Sequence, residues 1–253
     1  MIPKPQITIK DTPNDLARTA AKLFSMRAKE CVAGKGQFVV AISGGTTPRL
    51  FHRMLAQDPY VSEIPWDKTH IFWVDERCVP DSDAASNYGT SKKDFLNRAP
   101  ISKTQVYPMP SGLSPEDGAR KYQKTLMDFF HLKYGQFPTI DLIFLGTGKD
   151  GHTASLFPEQ RALDEMERLV ISVKGGDPDV SRLTMTFPVL NHAKRIIFMI
   201  SGKNKADIVK TIFEFPKAKL PAQKIQPLNG TLTWLLDSES ASMLSKEHTY
   251  EKY

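Results

Sequence analysis

Cysteine is scarce in this chain, which has only Cys31 and Cys78 among its 253 residues. Neither a disulfide framework nor the paired-cysteine spacing of a zinc site is present. No apolar run approaches the roughly 18 residues that a membrane span needs, and residues 1–6 lack the apolar centre of a signal peptide. We therefore expect a reduced, cytoplasmic protein that does not contact a membrane.

Long blocks of one charge are missing as well. The net charge is +6 and the pI is about 9.2, which favours anionic ligands. Because the basic residues are scattered, nucleic acid is disfavoured and a small phosphorylated metabolite is favoured. The chain also has no internal repeat and no linker rich in glycine or serine, so we expect a single domain over residues 1–253.

Apolar runs typical of strands alternate with segments of helical periodicity. We predict strands at 7–9, 38–42, 69–74, 106–107, 140–145, 169–173, 181–187, 195–200 and 231–236. Helices are expected at 12–33, 48–55, 90–96, 115–132, 206–213 and 238–244. This alternation predicts an α/β fold with a mostly parallel sheet covered on both faces.

Polar loops that contain glycine follow three of these strands, at 43–47, 146–152 and 201–203. A fourth strand runs into Asp75-Glu76-Arg77. In a parallel sheet these ends share one edge, where open α/β sheets bind ligands. The first loop also precedes a helix that starts at Pro48, and backbone N–H groups at such a junction can bind an anion. Residues 174–182 look flexible and are expected to form an active-site loop.

His152 is the candidate catalytic base, because an imidazole exchanges protons near neutral pH. The alternative is a histidine that only holds its loop together. The other histidines, His52, His70, His131, His192 and His248, are expected to be structural or exposed.

Three basic residues, Arg77, Arg182 and Lys203, are candidate anion ligands, since guanidinium groups bind phosphate with two hydrogen bonds. Each could instead be a solvated surface charge or a member of an ion pair. Asp75 and Asp150 could orient catalytic groups or cap turns.

The segment 146–151 matches G-x-G-x-x-G, but that pattern should open a long helix in a nucleotide-binding unit. Here His152 follows the third glycine and Pro158 comes soon after, so nicotinamide binding is disfavoured. A P-loop is excluded because Asp150, and not Ser or Thr, follows Lys149.

Several motifs together resemble the glucosamine-6-phosphate isomerase/6-phosphogluconolactonase family, and within it the lactonases. They are Ser43-Gly44-Gly45-Thr46-Thr47-Pro48, Trp73-Val74-Asp75-Glu76-Arg77, Ser86-Asn87-Tyr88-Gly89, residues 145–158, Arg182-Leu183-Thr184-Met185-Thr186 and residues 201–206. The resemblance covers nearly the whole chain in the right order.

This resemblance implies a Rossmann-like three-layer α/β fold, similar to glucosamine-6-phosphate deaminase. It implies hydrolysis of 6-phospho-D-glucono-1,5-lactone to 6-phosphogluconate without a metal or cofactor, by a monomer or weak homodimer. His152 is then the base, with Asp150 and Asp75 as further catalytic residues. The substrate and its phosphate are expected to contact Ser43, Gly44, Gly45, Thr46, Thr47, Arg77, Asn87, Gly148, Arg182 and Lys203.

Two other functions stay open at this point. A deaminase of this family has a Glu five positions after the histidine, where this chain has Phe157, and the missing carboxylate argues for lactone hydrolysis. A non-catalytic sugar-phosphate sensor would bind 6-phosphogluconate without accelerating hydrolysis, and the presence of His152 argues against it.

Overall fold

The computed structural model describes residues 5–245 as an α/β fold with two sheets. The strands are β1 (Gln6–Lys10), β2 (Phe38–Ile42), β3 (Thr69–Trp73), β4 (Asp75–Arg77), β5 (Val106–Tyr107), β6 (Leu142–Leu145), β7 (Val170–Gly175), β8 (Val180–Met185), β9 (Arg195–Ile200) and β10 (Thr231–Asp237). The α-helices are α1 (Pro13–Lys35), α2 (Pro48–Leu55), α3 (Tyr60–Glu63), α4 (Asn87–Ser91), α5 (Pro115–Phe130), α6 (Phe187–Asn191) and α7 (Ala206–Glu214).

The larger sheet has seven strands in the order β1-β10-β9-β6-β2-β3-β5, and all neighbouring pairs are parallel. Its central strands β2 and β6 are buried along their whole length, as expected for a sheet covered on both faces. The chain leaves β2 toward β3 and β5 and later returns to the other side of β2 through β6. Strand order therefore reverses between β2 and β6, which is where such sheets form a binding crevice.

A second sheet has three antiparallel strands in the order β4-β8-β7. The strands predicted at 169–173 and 181–187 are β7 and β8, whereas β4 was not predicted as a strand. Residues 75–77 are a strand paired with β8, with Asp75 opposite Thr184 and Arg77 opposite Arg182. The expected flexible loop at 174–182 is mostly a hairpin, because Gly175 pairs with Val180. The three residues of β4 are too short a pattern to be recognised as a strand in the sequence.

Helix α1 shows how local sequence signals set the ends of an element. The Thr12 side chain accepts a hydrogen bond from the N–H of Asp15, and Pro13 occupies the first turn. Gly36 ends the helix in a left-handed conformation with φ of 80°. The helix ends two residues beyond its predicted end at 33. Its apolar face is buried in the hydrophobic core.

The predicted helix at 238–244 is wrong, because this segment forms turns after β10. The carboxylate of Asp237 accepts the N–H of Ser240, and the Ser240 hydroxyl donates to the carbonyl of Ile200 at 2.9 Å. Serine and aspartate side chains thus take up the hydrogen bonds that a helix would need. The predicted helix at 90–96 begins earlier, at Asn87, and continues into a π-helical turn at Lys92–Leu96.

Residues 1–4 and 246–253, including His248, lie outside the described part, as does that share of the expected domain 1–253. Within residues 5–245, no helix is both long enough and apolar enough to cross a bilayer.

Tyr122 of α5 holds the end of β3 next to the site. Its side chain is 1% exposed, and its hydroxyl accepts the N–H of Trp73 at 2.9 Å. The same hydroxyl can donate to the carbonyl of Tyr107 at 3.2 Å. This tyrosine therefore satisfies buried backbone groups just before Asp75.

We expect Tyr122→Phe to lower the free energy of unfolding by about 1–3 kcal/mol, since the Trp73 N–H is left buried without a partner. Urea denaturation followed by circular dichroism measures this change. Tyr134→Phe is the matched control, because Tyr134 is 87% exposed. Equal stability of the two variants would contradict the role assigned to Tyr122.

Candidate active site

A cavity of about 210 Å³ opens at the carboxyl edge of the larger sheet, beside the point where strand order reverses. Its walls come from the loops after β2, β6 and β9 and from β4, α4 and β8. Twelve of the thirteen residues predicted for the site are within or beside it. The lining includes Ser43, Gly44, Gly45, Thr46, Thr47, Asp75, Arg77, Asn87, Gly148, His152 and Arg182.

His152 lines this cavity and is paired with Asp150. Its Nδ1 lies 2.6 Å from Oδ1 of Asp150, and its backbone N–H donates to the same oxygen at 3.2 Å. Partial burial raises the pKa of the Asp150 carboxyl, but the hydrogen bonds from His152 lower it by more, so the pKa lies below its ordinary value. An ionised carboxylate only accepts hydrogen bonds, which assigns the proton to Nδ1 and leaves Nε2 as the basic nitrogen.

Because Gly148 has no side chain, there is room beside it for the His152–Asp150 pair. A Cβ at position 148 would lie 2.2 Å from the His152 ring and 2.4 Å from Oδ1 of Asp150. The Gly148 N–H also donates to the carbonyl of His152 at 3.0 Å, which closes the loop. Its role is therefore steric, because any side chain here would displace the imidazole.

Phe157 packs directly against the imidazole. The two ring centroids are 4.7 Å apart, and the Arg182 guanidinium carbon lies 5.5 Å from the Phe157 ring centroid. The phenyl ring is 5% exposed, so it separates the base from solvent on that side. Phe157 thus touches both a candidate base and a candidate anion ligand.

Two arginines face each other across the β4–β8 pair. Arg182 is 3% exposed; its Nε donates to the carbonyl of Gly175 and its Nη2 to that of Pro178. Burial lowers the pKa of this guanidinium, and the charge of Arg77 lowers it further. Arg77 donates from Nη1 to the carbonyl of Ala85, while its Nε has no partner among the described residues. Two adjacent guanidinium groups favour a bound anion, which would offset their repulsion.

The glycine loop after β2 completes this positive end of the cavity. Within residues 5–245, the backbone N–H groups of Gly44 and Gly45 donate to no acceptor. Gly45 has φ of 97°, a conformation that favours glycine. The loop leads into the first turn of α2, and the Thr47 side chain makes no capping hydrogen bond there. Ser43 is used structurally, since its hydroxyl donates to the carbonyl of Phe144 at 2.8 Å.

Asp75 and Asn87 form a buried pair at the centre of the cavity floor. Both oxygens of the Asp75 carboxylate are engaged, one by the Ser155 hydroxyl at 2.7 Å and one by the Asn87 amide at 3.3 Å. Ser155 was not among the residues predicted for the site. Its proximity to Asp75, 80 positions away in the chain, could be known only from the fold.

Two predicted residues, Asp150 and Lys203, lie outside the cavity lining; Asp150 borders it through His152, whereas Lys203 does not. Lys203 is exposed, and its backbone N–H donates to Glu239. Lys205 lines the cavity instead, with Nζ donating to the carbonyl of Thr147 at 2.7 Å. Burial lowers the pKa of the Lys205 ammonium group. A short 3₁₀ turn at Lys203–Lys205 directs Lys205 toward the cavity. The distance of a residue from the end of its strand does not predict this turn.

The other described histidines lie away from this lining. His52 is fully buried beside Phe51 and Phe95, and burial lowers its pKa to about 4. His70 contacts the Tyr107 hydroxyl at 3.1 Å, and His192 contacts the carbonyl of Pro188. His131 ends α5 in a left-handed conformation. Their positions agree with structural or surface roles.

Comparison with known families gives one family model that covers most of the chain. The model for glucosamine-6-phosphate isomerases/6-phosphogluconolactonase matches residues 11–234. The matched region includes every strand and loop that lines the cavity.

Relatives and solved structures agree with this match. A 6-phosphogluconolactonase from Synechocystis sp. is 37% identical over 244 residues, covering 95% of this chain and 98% of the relative. The structure of 6-phosphogluconolactonase from Trypanosoma cruzi superposes with a TM-score of 0.86 at 26% identity, covering 97% and 98% of the two chains. A monomeric glucosamine-6-phosphate deaminase has a TM-score of 0.79 at 21% identity, covering 94% and 99%. This last likeness concerns the fold, and it confirms the predicted similarity to the deaminase architecture.

The positive end of the cavity should bind inorganic phosphate. We expect Arg182→Met to weaken phosphate affinity roughly 10- to 100-fold, because a charged hydrogen bond is worth about 1.5–3 kcal/mol. The rise of the unfolding temperature with phosphate concentration measures this affinity.

Arg161→Met is the control, because Arg161 is exposed and lies outside the cavity. If phosphate stabilises the Arg182 variant and this control equally, Arg182 does not hold the anion.

Proposed function

The chain belongs to the family of glucosamine-6-phosphate isomerases and 6-phosphogluconolactonases, and on that premise we propose that it hydrolyses 6-phospho-D-glucono-1,5-lactone to 6-phospho-D-gluconate with His152 as general base. Its lactonase relatives identify it as an enzyme of the hydrolase class. The reaction is the second step of the oxidative pentose phosphate pathway.

One observation supports the proposal above all others: a histidine with a defined basic nitrogen and a cluster of anion-binding groups line the same cavity. His152 has its Nδ1 bound by Asp150, while Arg77, Arg182 and the 43–47 loop form the positive end. A substrate with an anionic group at one end and a carbonyl at the other matches this arrangement. Phe157 occupies the position at which a deaminase would need its carboxylate, and its ring is buried.

The proposed mechanism begins when Nε2 of His152 takes a proton from a water molecule, whose oxygen attacks the lactone carbonyl. Asp150 accepts from Nδ1–H and stabilises the imidazolium that forms. A tetrahedral oxyanion results, stabilised by backbone N–H groups of a glycine loop or by a guanidinium group. The bond to the ring oxygen then breaks, and His152 returns its proton to that oxygen.

The phosphate contributes by position. Its contacts with Arg77, Arg182 and the 43–47 loop hold the carbonyl against the base, so that binding energy far from the reacting atoms lowers the barrier. Lys205, half buried at the cavity wall, adds a positive charge to the same lining. The cytoplasmic location and the monomeric or weakly dimeric state stay predictions from the sequence.

A coupled assay tests the proposal. Glucose-6-phosphate dehydrogenase generates the lactone, and its disappearance is followed with and without the protein. We expect His152→Ala to lower kcat by about 10²–10⁴-fold, the usual contribution of general base catalysis, with little change in binding.

His192→Ala serves as the control, because His192 lies outside the cavity, where its ring contacts the backbone carbonyl of Pro188 and stacks on Phe137. A His152 variant with wild-type kcat would refute the base assignment. Loss of lactone at only the spontaneous rate with the wild-type protein would refute the proposed function itself. Release of ammonia from glucosamine 6-phosphate would favour the deaminase instead.

Asp150→Asn tests the assignment of the proton on His152. An amide can donate to Nδ1 as well as accept from it, so the neutral ring would hold its proton on Nε2 in part of the molecules. We expect kcat to fall while the affinity for 6-phosphogluconate, measured by calorimetry, stays near the wild-type value. A kcat equal to that of the wild type would mean that Asp150 only caps the loop.

A further inference from the structure

A continuous line of buried polar contacts crosses the floor of the cavity. The Ser155 hydroxyl donates to Oδ2 of Asp75 at 2.7 Å. The Asn87 amide Nδ2 donates to the backbone carbonyl of Asp75 at 2.9 Å and lies 3.3 Å from its Oδ1. Ser155 follows His152 by three positions, and Asn87 borders the glycine loop. The line therefore joins the loop of the base to the loop of the anion site.

Each member of this line is buried and fixed in orientation. Ser155 is 0% exposed, Asn87 3% and Asp75 6%. The Asn87 amide cannot be reversed, because both atoms that face Nδ2 are acceptors on Asp75. Its backbone is held too, since its N–H donates to Oε1 of Glu76 at 2.7 Å. Ser155 is held by its own N–H, which donates to the Thr184 hydroxyl at 3.2 Å.

The last contact in the line is a steric contact between Gly44 and Asn87. A Cβ on Gly44 would lie 1.8 Å from Oδ1 of Asn87, so the Gly44 backbone rests directly on the amide. Oδ1 is buried and has no hydrogen-bond partner among residues 5–245. Leaving Oδ1 without a hydrogen bond costs free energy, and the close approach of the glycine loop is what occupies the space beside it. Movement of Asn87 would therefore move Gly44.

We propose that Ser155, Asp75 and Asn87 form a positioning bridge, which sets the separation between His152 and the phosphate-binding loop. The bridge makes the enzyme select lactones whose carbonyl and phosphate are spaced as in a hexonolactone 6-phosphate. This inference rests on the proposed function. Ser155 and Asn87 act through Asp75 and Gly44, and none of the three bridge side chains exchanges a proton with the substrate.

The bridge accounts for why a phosphate far from the carbonyl can accelerate hydrolysis. A bound phosphate helps only if the carbonyl then falls within reach of the water activated by His152. Because hydrogen bonds and packing connect the two loops through buried groups, the distance between them does not depend on exposed side chains. A misplacement of about 1 Å at such a site can cost about 100-fold in rate.

The test separates positioning from binding. For Ser155→Ala we expect kcat with the phosphorylated lactone to fall by roughly 10- to 100-fold. The dissociation constant of 6-phosphogluconate, measured by calorimetry, should stay within about twofold of wild type, because the phosphate ligands are intact. Asn87→Ala should lower kcat to a similar extent; because Asn87 lines the cavity, the comparison of affinities is made on Ser155→Ala. The double variant should lose less than the product of the two single losses, since both break one connection.

Ser25→Ala is the matched control. Ser25 in α1 is also a buried serine, 3% exposed, and its hydroxyl also donates to a carboxylate, that of Glu63 in α3. The substitution should leave kcat unchanged. The bridge is refuted if both variants keep kcat within twofold of wild type, or if kcat and affinity fall in parallel with the unfolding temperature. Failure of the wild-type protein to hydrolyse the lactone would instead refute the proposed function, so the two failures are distinguishable.

Discussion

Four parallel strands that end side by side, β9, β6, β2 and β3, are the constraint on which the site depends. Parallel pairing places all four carboxyl ends at one edge, so residues from position 43 to position 205 meet in one cavity. The reversal of strand order between β2 and β6 leaves the crevice there uncovered by a crossover connection. Without that arrangement the candidate base and the candidate anion ligands would not line one cavity.

Electrostatics divides the cavity into two ends. Arg77 and Arg182 face each other at the β4–β8 pair, and burial together with the charge of Arg77 lowers the pKa of Arg182. At the other end, the Asp150 carboxylate holds one proton on the imidazole of His152. An anion fits the first end and a proton-transfer reaction fits the second, which is why one extended substrate satisfies both.

Sequence patterns predicted the parallel sheet and the edge at which the site lies, because buried strands and glycine loops depend on local periodicity and turn chemistry. The predictions were wrong where contacts between residues distant in the sequence determine the local structure. The antiparallel strand β4 forms only against β8, and the serine-rich end at 238–244 folds around Asp237 and not into a helix. Lys203 was predicted in place of Lys205, because one 3₁₀ turn determines which of the two lysines faces the cavity. The bridge through Ser155 joins residues 80 positions apart, and no local pattern contains such information.

The packing of Phe157 has a consequence for how the two chemistries of this family can diverge. Its ring contacts His152 on one side and lies under the Arg182 guanidinium on the other, with the backbone of the 175–176 turn against it. A carboxylate in its place would lie near both the imidazole and a buried guanidinium, and an ion pair with Arg182 would neutralise one charge of the candidate anion site. Position 157 therefore couples the two ends of the cavity, so a carboxylate there would change anion binding along with proton transfer.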